Sequence, residues 1–229
     1  MNAADARSDE VLRLERRGDV VVVHWEDGEN RFNRRSIDRW HEVLGELEAI
    51  EGPLAVVVVG QGKFFSNGLD LDWMGEHPDE ATPMLDAVHR LFGRLLLFPG
   101  YLVAALNGHT FAGGAMLSCA ADARVMRSDR GFWCLPEVDL GLAVTVPMFE
   151  VVTARLPAPA AADALLTGRR YSGDDALRRG IVDHVAAEAD VLDLAVGLAA
   201  EIAGKDRGVI AAHKRLLFEE SARRCGWTE

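Results

Sequence analysis

The chain has 229 residues, enough to bury one sizeable core, and fits a single globular domain better than two. Its 49% apolar content excludes a disordered chain, and no apolar run reaches the roughly 18 residues that a membrane span requires. A formal charge of -11 argues against a nucleic-acid-binding or membrane-binding surface, because such binding begins with the neutralisation of phosphates.

The first ten residues, MNAADARSDE, are polar and acidic rather than a signal peptide, so a soluble, cytoplasmic protein is expected. Cys119, Cys134 and Cys225 have no metal-ligand spacing, and their odd number fits poorly with a disulfide framework. They are expected reduced and mostly in the core, with no metal site. An anionic ligand would need a local basic patch: Arg31, Arg34 and Arg35, then Lys63, then His213-Lys214-Arg215.

In chain order, alternation over residues 11–16, a Gly18-Asp19 turn and the β-branched run 20–25 predict an opening hairpin. Residues 26–33 read as a polar loop. Ser36 is a candidate N-cap for a helix with Ile37, Trp40, Val43, Leu44 and Leu47 on one face. The continuous apolar run 54–59 predicts a strand covered on both sides. Residues 64–71, FFSNGLDL, predict a strand running into a glycine turn. Helical periodicity covers 81–98 and is stopped by Pro99-Gly100. A strand over 101–106 ends at Asn107-Gly108, and Ala112-Gly113-Gly114-Ala115 opens a helix. Short strands are expected at 124–126 and 132–135, with a turn starting at Pro136-Glu137. Beyond residue 146 strand signals almost vanish, and helical patterns cover 146–155, 158–166, 173–179, 189–203 and 208–223. The pattern is α/β with mostly parallel crossovers, divided into a core over 1–145 and a helical portion over 146–229 that covers the core or docks on a partner.

The stretch 107–142 carries the chemistry. Adjacent glycines at a helix start let a ligand approach the backbone and present N–H groups that no helical carbonyl satisfies. Such donors suit an oxygen gaining negative charge. The glycine turn at Asn67-Gly68 is the second place where they could be exposed. The chain has no GxxxxGK[ST], GxSxG, HExxH or CxxC pattern, which removes the best-marked phosphoryl-transfer, serine-hydrolase and zinc chemistries. Asp70, Asp72 and Gly75 do not keep the ligand spacing of a calcium loop.

Four segments in order carry a family resemblance. Asn30-Arg31-Phe32-Asn33 resembles an early NxxN segment, and 63–71 resembles a first oxyanion-hole motif. Asn107-Gly108 through Gly114 resembles the second such motif, and Pro136-Glu137 with Gly141 resembles a PExxxG segment. On these the chain is identified as a member of the crotonase superfamily, the enoyl-CoA hydratase/isomerase family, over nearly its whole length. The resemblance implies a spiral of ββα units, an acyl-CoA thioester substrate, and a homotrimer or hexamer. It implies no cofactor, since CoA belongs to the substrate. It also implies oxyanion donors at the backbone N–H groups of Asn67 and Gly113.

Family hydratases use two glutamates, one on the helix after the glycine pair and one in PExxxG. Here those positions hold Met116 and Glu137. Methionine can neither take nor give the proton, so two-carboxylate hydration loses a partner. One glutamate suffices to move a proton from carbon 2 to carbon 4 of a 3-enoyl thioester, the delta-3,delta-2-enoyl-CoA isomerase reaction, and FFSNGLDL and EVDLGL resemble that branch. The alternatives are a hydratase or other enolate-forming enzyme, and, in another class, a catalytically weak acyl-CoA-binding protein. An apolar setting from Trp133, Leu135 and Val138 should raise the Glu137 pKa. Asp139, if strand-like, would share its side and is the candidate second acid. Met116 and Leu117 are expected in pocket wall or core, and His109 in a loop or core. The resemblance implies adenine contacts from 67–70, Gly68, Leu69 and Asp70 included. Gly114 and Met116 are expected beside the acyl chain, and Arg31 and Lys63 beside the phosphates. The chain stops soon after Trp227, which implies a shortened terminal helix.

Overall fold

The Val-rich runs predict buried strands, and they form the spine of the molecule. The computed structural model describes residues 11–228, so the acidic first ten lie outside the described residues. The hairpin β1 (Leu12–Arg17) and β2 (Val20–Trp25) turns at Gly18, whose φ of 64° is the left-handed conformation a tight turn requires. Next come β3 (Arg31–Phe32), α1 (Arg34–Glu48), β4 (Ala55–Val59), β5 (Phe64–Ser66) and β6 (Gly68–Leu69). They are followed by α2 (Leu71–Glu76), α3 (Pro78–Leu96), β7 (Tyr101–Leu106), β8 (His109–Phe111) and α4 (Gly113–Ala120). The chain continues through β9 (Ala123–Arg127), β10 (Trp133–Cys134), α5 (Val146–Arg155), α6 (Ala158–Thr167) and α7 (Gly173–Arg178). It ends with β11 (His184–Ala186), α8 (Val191–Ala203) and α9 (Arg207–Arg224).

A six-stranded sheet runs β1-β2-β4-β7-β9-β11, parallel except for the β1–β2 hairpin. Strand alternation divides its side chains between two cores. Val20, Val22, Val57, Val103 and Val125 face α8, where Ala195, Ala199 and Ala203 lie one turn apart and let the helix sit close to the sheet. Val21, Val23, Val56, Val58 and Met126 join the larger core, with Trp40 of α1, Phe92 of α3, Met116 of α4 and Val151 of α5. Two smaller parallel sheets, β10-β8-β5 and β3-β6, lie off the main one and carry the glycine turns.

Several local expectations change. Asn33, not Ser36, caps α1: the Ser36 N–H donates to the Asn33 side chain and the Asn33 N–H to Ser36 Oγ, a capping box read one turn too late in the sequence. The polar loop 26–33 contains β3, and α2 follows the FFSNGLDL turn. The C-terminal portion covers the core through α8 and also supplies β11, which pairs with β9. All three cysteines are buried and unpaired, and burial pushes the Cys119 and Cys134 thiols up to about 11. Among the described residues no helix is long and apolar enough to cross a membrane.

Candidate active site

The two glycine turns meet. Gly68 has a φ of 81°, and a Cβ placed on it would lie 2.7 Å from Ala112 Cβ and 2.9 Å from the Gly113 nitrogen. A Cβ on Gly114 would lie 2.6 Å from Ser66 Cβ. Both glycines serve close approach of β5 and β6 to the start of α4, and neither lines the cavity described below. The joint is pinned from the NxxN segment. Asn30, fully buried with a φ of 53°, accepts the Asp27 N–H, donates to the Phe65 carbonyl at 3.0 Å, and through its own carbonyl accepts Ser66 Oγ at 2.6 Å. Asn33 caps α1 and reaches Asp70 Oδ2 at 3.4 Å.

Gly113 is the first residue of α4, so its N–H has no helical carbonyl to meet. The preceding Ala112 holds φ 50° and ψ −123°, a sparsely populated conformation for a residue with a Cβ, and this sharp turn aims the helix start. On the other wall the expected donor, the Asn67 amide, is already engaged. The Asn67 N–H donates to the Glu29 carbonyl at 3.0 Å, and the Asp70 N–H to the Phe32 carbonyl at 2.9 Å. In the parallel β3–β6 register Phe32 stands opposite Leu69, and with the Phe32 carbonyl taken by the Asp70 N–H the Leu69 N–H faces the edge away from β3. Leu69 and Gly113 both line the cavity and are the candidate backbone donors at this joint.

A cavity of about 570 Å³ opens beside that pair. Leu69, Met74, Leu85, Phe111, Leu140 and Met148 make it largely apolar, and Gly113 and Glu137 line it together. Glu137 stands in the turn after β10, where the Leu142 N–H donates to its carbonyl at 2.9 Å. Its Oε2 is buried with no protein partner. Burial raises its pKa above the ordinary carboxylate value, opposed only by its own backbone N–H. The other carboxylate on the lining, Asp72, is well exposed and paired to Arg31 at 3.1 Å.

The predicted residues divide clearly. Glu137, Gly113, Asn67, Leu69 and Arg31 come together on the cavity. Arg31 is held by Glu29 at 2.8 Å as well as by Asp72, so it is no unengaged phosphate receptor. Lys63 stands elsewhere, in a cleft of about 220 Å³ with Arg127 and Arg130, its ammonium over the Phe64 ring. Asp70 caps α2 through the Trp73 N–H and opens on a separate small cleft. Met116 is fully buried in the larger core, not on the cavity wall. Asp139 is not in a strand: 137–141 is a turn, and its carboxylate packs against Gly168, away from the cavity. His109 lies in β8 among Phe64, Phe111 and Phe132. Thr145 and Arg170 also line the cavity, and sequence reasoning passed over both. Thr145 was legible as an N-cap before the helix at 146, whereas Arg170, above the Phe111 ring at 5.7 Å, had no local signal.

A mostly parallel-sheet α/β core places a helix start, a glycine turn and a half-buried carboxylate on one largely apolar cavity, the kind of concave site that acyl-group enzymes use. The sequence comparison makes this specific: residues 15–225 match the enoyl-CoA hydratase/isomerase family model, and the chain belongs to that family. It is 33% identical to enoyl-CoA delta isomerase 2, peroxisomal, of Arabidopsis thaliana, over 90% of this chain and 92% of that protein. Human mitochondrial delta3-delta2-enoyl-CoA isomerase superposes with a TM-score of 0.88 at 25% identity, covering 94% of this chain and 86% of the other. An enoyl-CoA hydratase from Mycobacterium marinum superposes with a TM-score of 0.86 at 26% identity, covering 95% of each.

Proposed function

We propose that the protein moves the double bond of a 3-enoyl-CoA to the 2 position, with Glu137 as the single acid–base. The observation that carries this reading is the carboxylate itself: a half-buried glutamate whose Oε2 has no protein partner, sharing a cavity with Leu69 and Gly113, and, among the described residues, with no second unpaired carboxylate on the wall. Glu137 takes a proton from carbon 2, and the electron pair passes to the thioester oxygen to give a dienolate. The Leu69 and Gly113 N–H groups stabilise that oxygen, each worth about 3 kcal/mol in comparable sites. The pair then returns from oxygen, carbons 2 and 3 become doubly bonded, and Glu137 delivers the proton to carbon 4. An elevated pKa suits it to both halves of the transfer. Met116 leaves the position after the glycine pair without a proton carrier.

CoA enters as part of the substrate, and the chemistry as written needs no further group. The reading includes a role in the β-oxidation of unsaturated fatty acids, a homotrimeric or hexameric assembly and a cytoplasmic location. Its test is a comparison of two substrates. The protein should convert a 3-enoyl-CoA and leave a 2-enoyl-CoA unhydrated, and Glu137→Gln should lose turnover by at least about a thousandfold while retaining acyl-CoA binding. Rapid water addition to the 2-enoyl-CoA would make it a hydratase. Binding without turnover of either substrate would make it an acyl-CoA-binding protein.

A further inference from the structure

One polar pair is built into the apolar wall of the cavity. Thr145 lines it, and Thr145 Oγ1 lies 2.9 Å from His89 Nε2. His89 is 7% exposed and stands on α3 one turn beyond Leu85, which lines the same cavity, so both residues share one helix face. Thr145 also caps α5, accepting the Met148 N–H at 3.4 Å. The neighbouring wall, Leu142, Ala143 and Met148, is apolar.

A threonine hydroxyl has one donor and two acceptor sites. The Met148 N–H takes one acceptor and His89 takes one more site, so one valence remains. If His89 donates from Nε2, the Thr145 O–H is left to donate. If His89 accepts, a lone pair is left to accept. The imidazole tautomer can therefore set Thr145 to meet either role. Burial holds His89 below its ordinary pKa and so in the neutral form that has both options. The other groups near the ring are Asp86, whose Oδ1 is 3.9 Å from Nδ1, and Arg90.

We propose that Thr145, positioned by His89, is a specificity residue that selects acyl chains carrying a hydroxyl or oxo group over plain hydrocarbon chains. One free valence of a hydroxyl set in an apolar stretch of the wall gives a chain bearing a hydroxyl or oxo group a partner that a purely aliphatic chain lacks. The inference rests on the acyl-CoA reading of the cavity but not on the isomerase step, and its test does not require turnover.

Binding of saturated acyl-CoA thioesters of one length is measured by calorimetry, with a hydroxyl stepped along the chain, and each is compared with the plain chain. The parent should show a position at which the hydroxylated thioester is preferred. Thr145→Val should reduce that preference about tenfold, Thr145→Ser should keep it, and His89→Phe should reduce it by threefold or more. A loss of packing or of the α5 cap would weaken both ligands alike and leave the ratio unmoved. No preference at any position in the parent, or a change of less than threefold in Thr145→Val, overturns the proposal. A protein that keeps the ratio but fails to isomerise 3-enoyl-CoA would overturn the reaction and not the selectivity.

Discussion

Gly68→Ala tests whether the joint between the two glycine turns is what makes the site. The new methyl would meet Ala112 Cβ at 2.7 Å and the Gly113 nitrogen at 2.9 Å, and restoring an ordinary contact of about 3.4 Å requires β6 and the start of α4 to part by about 0.7 Å. The φ of 81° adds about 1–2 kcal/mol for a residue with a Cβ, and overpacking a close-packed joint adds about 1–3 kcal/mol. The variant should lose about 2–5 kcal/mol of the roughly 5–15 kcal/mol that holds a domain together. Because the contact pushes on the Gly113 amide itself, the donor pair also loses alignment, and kcat should fall about a hundredfold beyond any unfolding. Urea unfolding gives the first quantity. Turnover at saturating 3-enoyl-CoA, at a temperature where the variant is folded, gives the second. A kcat within threefold of the parent in a folded variant would refute the assignment of Gly113 as a donor.

Asn30→Ala should cost about 2–4 kcal/mol by urea midpoint, since it strands the buried Phe65 carbonyl and the Asp27 N–H and puts Ala at φ 53°. Lys214, 5% exposed and 2.6 Å from Asp122, should show the asymmetry of a buried pair: Lys214→Met alone costs about 3–5 kcal/mol, and adding Asp122→Asn recovers part of it. The raised pKa of Glu137 fixes two pH trends. As the required base, it makes kcat/KM fall as pH drops through its elevated pKa, above the ordinary carboxylate midpoint. The folded state also binds the proton more tightly than the unfolded chain does, so the contribution of Glu137 to stability is present at low pH and is lost as pH rises through that pKa. Glu137→Gln should therefore unfold at no lower temperature than the parent at neutral pH.

Most of the frame was legible because its signals are local. The Val runs of β2 and β4 and the helical spacing of Trp40, Val43, Leu44 and Leu47 report burial directly. Glu137 and the Met116 position were singled out by the family resemblance rather than by burial signals, and the structure puts Glu137 on the cavity and Met116 in the core. What failed to read was set by partners far away in sequence. β3 and β6 are two residues each and exist because Arg31–Phe32 finds Gly68–Leu69. That pairing occupies the Asp70 amide and the Glu29 carbonyl occupies that of Asn67, which leaves Leu69 as the candidate donor; no motif letter encodes which edge an amide faces. The turn starting at Pro136-Glu137 was legible, but not that it carries the Asp139 carboxylate against Gly168 rather than beside Glu137. The two asparagines of the NxxN segment read as a loop signature, yet they hold the Phe65 carbonyl, the Ser66 hydroxyl and the start of α1.

The single-glutamate shuttle is tested most directly by following a label. With a 3-enoyl-CoA carrying deuterium on both carbon 2 positions, the 2-enoyl product formed in the first turnovers should contain deuterium at carbon 4, because the carboxylate that removes the label returns it before solvent exchange is complete. Product without deuterium at carbon 4 from the earliest time point would contradict direct return of the proton by Glu137.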